Sequence, residues 1–230
     1  MRQPIQRKSL QDQATEWLRE AIVRGDFAPG AMLTELDLTD RIGLGRGTVR
    51  SALFAMEAQE LVTRTPYSSW RVAVLDAQAI WEIYTLRAAF EGLGARILAE
   101  RRTEFGTKLV EAAFAALPAA NDAGTDARVA ADLGFHASFV EQTGHQHLIR
   151  RHGLLADKME WLYRWSEAHW PCRKPLVSDH QRLFDTLMTG SPDAAEQAVR
   201  DHIAESIELD VTGFHELHSH GAAPPQQEQA

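Results

Sequence analysis

Apolar residues near the start of the chain fall into three helical stretches and then two that alternate. Between Leu10 and Arg24, Ala14, Trp17, Leu18, Ala21 and Ile22 recur at helical spacing with charges between them. Gly25 ends that run, and Phe27-Ala28-Pro29-Gly30 reads as a turn. A short second helix is predicted from Glu35 to Arg41, with Leu36, Leu38 and Ile42 apolar, and Gly43-Leu44-Gly45 interrupts it. The third runs from Arg46 to Gln59, where Val49, Ala52, Leu53 and Met56 fall at i, i+3, i+4 and i+7 as one buried stripe. Leu61 to Arg64 and Trp70 to Val74 look like two short strands, with Thr65-Pro66-Tyr67-Ser68-Ser69 as the turn between them. Three helices closed by a hairpin outline a winged helix-turn-helix.

Beyond Asp76 the pattern is helical only. Stretches cover about 77–101, 105–117, 126–142, 146–170, 176–189 and 192–212. Breaks fall at Pro118 to Gly124, Gly144, Pro171 to Pro175, and Gly190-Ser191-Pro192. The expected fold is therefore mainly α: a winged helix over 7–74, then an all-α antiparallel bundle over 76–213. Residues 221–230, GAAPPQQEQA, are a polar Pro/Gln tail expected to be disordered. Trp161, Trp165 and Trp170 lie close together, as in a packed core or a pocket wall.

A net charge of −8 at first argues against a nucleic-acid partner. The distribution reverses that inference. Residues 1–75 hold 10 Lys and Arg against 9 Asp and Glu, while residues 76–230 hold 14 against 23. A near-neutral head on an acidic body permits DNA binding through a few placed arginines, with weak non-specific affinity. The single cysteine, Cys172, excludes an internal disulfide framework. No leader-like segment opens the chain, and no apolar run approaches the roughly 18–20 residues that span a bilayer. The expected location is cytoplasmic, with no membrane partner.

On the third helix the face opposite the buried stripe carries Arg46, Gly47, Arg50 and Ser51. Arg46 and Arg50 are four apart and project together near the helix N-terminus, where a recognition helix places its base-reading residues. Gly45-Arg46-Gly47-Thr48-Val49-Arg50-Ser51-Ala52-Leu53, followed by Met56-Glu57 and Leu61-Val62, resembles the GntR-type winged helix. The resemblance implies DNA contacts from Arg46, Thr48 and Arg50, with the wing reaching the minor groove. Gly47, Arg64, Ser69 and Arg71 complete the expected DNA-facing set. Three positions depart from that family's pattern: Leu36 replaces a DNA-contacting arginine of some members, Gly45 a serine or threonine cap, and Ser69 a wing-tip glycine.

Most of the ten histidines read as surface residues: His145, His147, His152 and His169 near breaks, His215, His218 and His220 at a fraying end. Four polar residues instead stand where apolar ones belong. Asp132 and His136, at i and i+4, interrupt the stripe of Val129, Leu133, Phe139 and Val140. His180 heads the stripe of Leu183, Phe184, Leu187 and Met188, and His202 sits in that of Ala195, Ala198, Val199 and Ile203. Three imidazoles and a carboxylate directed inward from three helices suit a divalent ion, with zinc the first choice and nickel, manganese or iron the others. Asp132-x-x-x-His136, His180 and His202 are also similar to the metal signature of the FadR C-terminal (FCD) domain. By that resemblance Arg87, in LRAAFE, lies beside the pocket, where it could pair with an effector carboxylate. Its alternative is an intrahelical pair with Glu91 at i+4.

The expected function is a DNA-binding transcriptional regulator of the FadR-like GntR type. A small organic acid, bound at a metal-containing pocket, would control its affinity for a palindromic operator, and a homodimer would read the two half-sites. Two alternatives stand beside this: a sensor for which the ion itself is the signal, and a metal-dependent enzyme with a DNA-binding head. The sequence lacks both His-Glu-x-x-His and Glu-x-x-His, which weighs against the enzyme.

Overall fold

A computed structural model describes residues 8–64, 69–170 and 173–219. The chain divides into two compact units, Met1–Val74 and Leu75–Ala230. In the first, α1 (Leu10–Val23) opens with a reciprocal cap: Ser9 Oγ accepts from the Asp12 amide, and Asp12 Oδ2 accepts from the Ser9 amide, both at 3.1 Å. It buries Ala14, Leu18, Ala21, Ile22 and Val23. Next come β1 (Met32–Leu33) and α2 (Glu35–Ile42), which Thr34 caps and a left-handed Gly43 ends. Helix α3 (Arg46–Ala58) buries the expected Val49, Ala52, Leu53 and Met56 and packs along α1.

Strands β2 (Val62–Arg64) and β3 (Trp70–Val72) pair antiparallel, with Arg64 opposite Trp70. Strand β1 adds to the far edge of β3, giving the order β1-β3-β2. That third strand is absent from the sequence pattern because two residues are too few to alternate.

The second unit is all helix among its described residues: α4 (Ala77–Glu100), α5 (Arg102–Phe105), α6 (Lys108–Ala120), α7 (Thr125–Gln142), α8 (Gln146–Gly153), α9 (Ala156–His169), α10 (Leu176–Thr189) and α11 (Pro192–Ser219). The main pairing is α4 along α11, with α7 crossing α4 where Gly94 lets the backbones approach. A Cβ at Gly94 would stand 3.0 Å from Val140 Cγ2.

Three boundaries differ from expectation. The single helix expected over 105–117 is a short turn of helix and then α6, which runs through Pro118 because Leu117 and Ala120 are buried on either side of it. The expected helix over 146–170 is two: tight bonds from the Leu154 and Leu155 amides to the Arg151 and His152 carbonyls break it. The break buries Leu155 and leaves Leu154 exposed. Helix α11 runs past 212 because Asp210 and Gly213 continue its buried face. The expected wing turn over 65–68 and tail over 221–230 lie outside the described residues.

Candidate functional site

In the first unit the buried stripe of α3 turns Arg46, Gly47 and Arg50 outward, leaving Thr48 half-buried. Arg50 is not a free surface charge. Its Nε and Nη2 donate to Glu35 Oε1 and Oε2 at 2.7 Å each, a two-point pair between α3 and α2. Arg64 lies with its guanidinium 5.1 Å from the Trp70 ring and 5.7 Å from Phe54, while Phe54 meets Trp70 edge-on at 5.1 Å. Arg71 is exposed on β3 and donates to the Gly30 carbonyl at 3.1 Å. Ser69 precedes β3, and Leu36 is exposed.

The second unit brings together the four residues singled out for metal. Asp132 and His136 come from α7, His180 from α10 and His202 from α11. One ligand atom from each of the three histidines can be chosen so that all lie within 4.8 Å of one another. His136 Nε2 is 3.1 Å from His180 Nε2, which is itself 3.1 Å from Asp132 Oδ1. Asp132, His136 and His180 are buried; His202 is half-buried.

Their outer partners fix the tautomers. His180 Nδ1 is 2.8 Å from the Leu176 carbonyl, which can only accept, so that nitrogen carries a proton. His136 Nδ1 is 2.7 Å from Glu91 Oε2. Glu91 is buried, yet the Arg87 and His136 charges outweigh that burial and hold its carboxyl well below the usual range, so it too accepts. His136 Nε2 then presents a lone pair toward His180 Nε2, which also faces the Asp132 carboxylate.

His136 Nε2, His180 Nε2 and Asp132 repel as three acceptors unless a proton on His180 Nε2 or a metal ion stands among them. Burial works against charge on His180, but its hydrogen bond to Asp132 and that carboxylate's charge prevail and raise its pKa. Burial and then the Arg87 charge lower that of His136; burial and the neighbouring histidines hold His202 well below its ordinary value. The donor types suit a first-row divalent ion, which His136, His180 and His202, with Asp132 beside them, could hold. Glu91 and the Leu176 carbonyl would orient two of those ligands from outside.

Beside this cluster opens a cavity of about 560 Å³, lined among others by Tyr84, Arg87, Asp132, Trp170, Arg173 and His202. One wall is a buried network on Asp210, which accepts from Tyr84 Oη at 2.6 Å, Trp170 Nε1 at 2.9 Å and Arg173 Nη2 at 2.9 Å. Both sequence readings of Arg87 meet at one residue. Its Nε donates to Glu91 Oε1 at 2.7 Å, yet its Nη2 is buried with no hydrogen-bond partner in a side chain that lines the cavity.

Sequence reasoning missed Glu91 as a shared partner and overlooked His152, whose Nε2 is 3.1 Å from Glu91 Oε1. A usable signal was present: Arg87 and Glu91 both stand in the buried stripe of Ile80, Tyr84, Ala88, Ala95 and Leu98. Of the other discounted histidines, His145, His147, His169, His215 and His218 are exposed, and His145 caps α8 by accepting from the Leu148 amide. His215 and His218 lie within α11 rather than on a frayed end; His220 is outside the described residues. Of the three tryptophans, Trp161 is core, Trp165 is half-buried and Trp170 is pocket wall.

Residues 10–72 match the family "Bacterial regulatory proteins, gntR family", and residues 82–205 match the FCD domain. The chain is 27% identical over 203 residues to the HTH-type transcriptional repressor GlaR of Escherichia coli strain K12, covering 84% of this chain and 92% of that one. It is 27% identical over 236 residues to the HTH-type transcriptional repressor NanR of Enterobacter sp. strain 638, covering 88% and 85%. Among solved structures, a GntR transcriptional regulator of Rhodococcus sp. RHA1 superposes with a TM-score of 0.71 at 21% identity, over 89% of this chain and 99% of that one. E. coli McbR/YncC does so with 0.69 at 16%, over 90% and 100%. These structures speak to the fold alone. No described helix is long and apolar enough to cross a membrane. With the FCD match covering more than half of the chain behind a gntR-type reading head, the protein belongs to the gntR family of bacterial regulatory proteins, in the form that carries an FCD domain, and is a DNA-binding transcriptional regulator rather than an enzyme.

Proposed function

We propose that the protein is a repressor whose operator affinity is set by a small carboxylate bound next to a metal ion in the FCD unit. The observation that carries this reading is one juxtaposition. Converging acceptors on His136, His180 and Asp132 call for a cation, and the buried, unpartnered Nη2 of Arg87 in the adjoining cavity calls for an anion. Asp132, His136, His180 and His202 would hold the ion, zinc by preference; it would supply a fixed positive charge beside the cavity. Arg87 would pair with the effector carboxylate, and Tyr84, Trp170 and Arg173 would shape the pocket around it. The names of GlaR and NanR as repressors support the sign of control.

At the DNA end, Arg46, Gly47, Thr48 and Arg50 would face the major groove, with Arg64, Ser69 and Arg71 following the wing. A single winged helix reads few base pairs, so a homodimer on a palindromic operator supplies the affinity. The effector can weaken that complex by no more than its differential affinity for the bound and released states.

The test is operator binding at fixed zinc, titrated with a panel of mono- and dicarboxylates, alongside elemental analysis and native mass of the purified protein. The reading expects one metal per chain, a dimer, and release of DNA by an acid that has no effect on Arg87→Ala. If metal alone switches affinity and no acid adds to it, the ion is the signal and the effector reading fails.

A further inference from the structure

Arg50 is engaged in a way that constrains what it can do. A guanidinium has five N–H groups in a rigid plane. Glu35 takes two of them, Nε–H and one Nη2–H, along a single edge at 2.7 Å each. The edge formed by Nη1 and the other Nη2 hydrogen stays free, and the side chain remains 58% exposed. That end-on edge is the one that matches guanine O6 and N7.

Glu35 is itself fixed. It is the first residue of α2, whose N-terminus is set by Thr34 Oγ1 accepting from the Asp37 amide at 3.1 Å. Its carboxylate is held below its usual pKa chiefly by the Arg50 hydrogen bond. Trp70 is buried on β3 and wedged against Phe54 of α3. One carboxylate thus ties the helix before the recognition helix to the recognition helix itself.

We propose that Glu35 is a positioning residue for base reading: it clamps Arg50 so that the free guanidinium edge is presented end-on to one guanine in each half-site. The inference rests on the reading of Arg50 as a base contact. Held this way, the arginine gives up less rotamer freedom on binding, and its plane cannot rotate to follow a phosphate instead.

The experiment uses full-length protein and a duplex enriched from a randomised oligonucleotide pool by the wild type. Each guanine is then replaced singly by 7-deazaguanine, which lacks the N7 acceptor but keeps the base pair. The wild type should lose about tenfold in affinity at one guanine per half-site, the scale of part of a bidentate contact. Arg50→Ala should lose nothing further at that guanine, and Glu35→Gln should show a penalty cut to about two- or threefold. Circular dichroism of each variant checks the fold, and a merely structural role would leave the guanine-specific penalty intact. If Glu35→Gln keeps the full wild-type penalty, or binds the unmodified duplex more tightly than wild type, Glu35 is no clamp. If Arg50→Ala keeps the full penalty at every guanine, the base-contact reading of Arg50 falls first and the role of Glu35 with it.

Discussion

Replacing Glu91 by glutamine should destabilise the FCD unit and, if the histidine cluster holds the proposed ion, weaken that binding as well. The side chain is 1% exposed, and its two oxygens accept from three donors: Arg87 Nε and His136 Nδ1 at 2.7 Å, and His152 Nε2 at 3.1 Å. Glutamine fits the same space but has one acceptor oxygen and one NH₂. That amide must then face either Arg87 Nε–H or His136 Nδ1–H, donor against donor. One buried donor left unsatisfied costs about 1–3 kcal/mol, and an uncompensated buried cation costs about 3–5 kcal/mol. The two overlap, so a net loss of about 3–5 kcal/mol is expected.

For a unit of this size about 1 kcal/mol moves the melting temperature by roughly 2–4 °C, so the midpoint should fall by about 10 °C. Loss of an outer carboxylate partner of a ligating histidine typically weakens metal binding about 10–100-fold. Thermal unfolding of zinc-loaded and EDTA-treated protein, with a competitive chelator titration, separates the two effects. A Glu91→Gln protein that melts within about 2 °C of wild type in EDTA would show that Arg87 finds another partner and that no buried charge is stranded. The double change Arg87→Met with Glu91→Leu should recover part of the stability, since an apolar pair removes the stranded charge; it should not recover the metal affinity.

Two other perturbations are expected to be informative. Gly213→Ala gains about 1 kcal/mol of helix propensity, yet its Cβ would stand 2.5 Å from Trp170 Cγ, so the indole must leave Asp210; net destabilisation of about 1–3 kcal/mol is expected in a melt, and a variant more stable than wild type would refute that contact. Removing metal with a chelator should lower the melting temperature of wild type more than that of His202→Ala; identical shifts in the two would remove His202 from the ligand set.

What could be read from the chain depended on whether a residue broke a pattern long enough to see. Val49, Ala52, Leu53 and Met56 all proved buried because a stripe repeating over about two turns is self-checking, and the wing strands followed from their alternation. His136, His180 and Asp132 were legible as polar residues inside such stripes. The clamp on Arg50 was not, because Glu35 lies fifteen positions away on an exposed helix start, where an acidic residue is unremarkable. Strand β1 was too short to carry a period. The pocket wall from Asp210 was hidden because the helix it stands on continues past the last regular apolar position, and its partners Tyr84 and Arg173 are far apart in sequence.

Glu91 also bears on how metal and effector would communicate. The same carboxylate holds His136 through Oε2 and Arg87 through Oε1, and both side chains are buried too deeply to swing freely. An ion pulling on His136 would tighten its bond to Glu91 and draw that carboxylate away from Arg87, strengthening the unmet demand at Arg87 Nη2 for an anion. A carboxylate arriving at Arg87 would compete for the guanidinium and release Glu91 toward His136. On the proposed reading the two binding events would favour each other through one shared acceptor, by an equal factor in both directions. A zinc affinity raised by the acid, by the same factor by which zinc raises the acid's affinity, is the signature of this arrangement; Glu91→Gln should bring that factor to one.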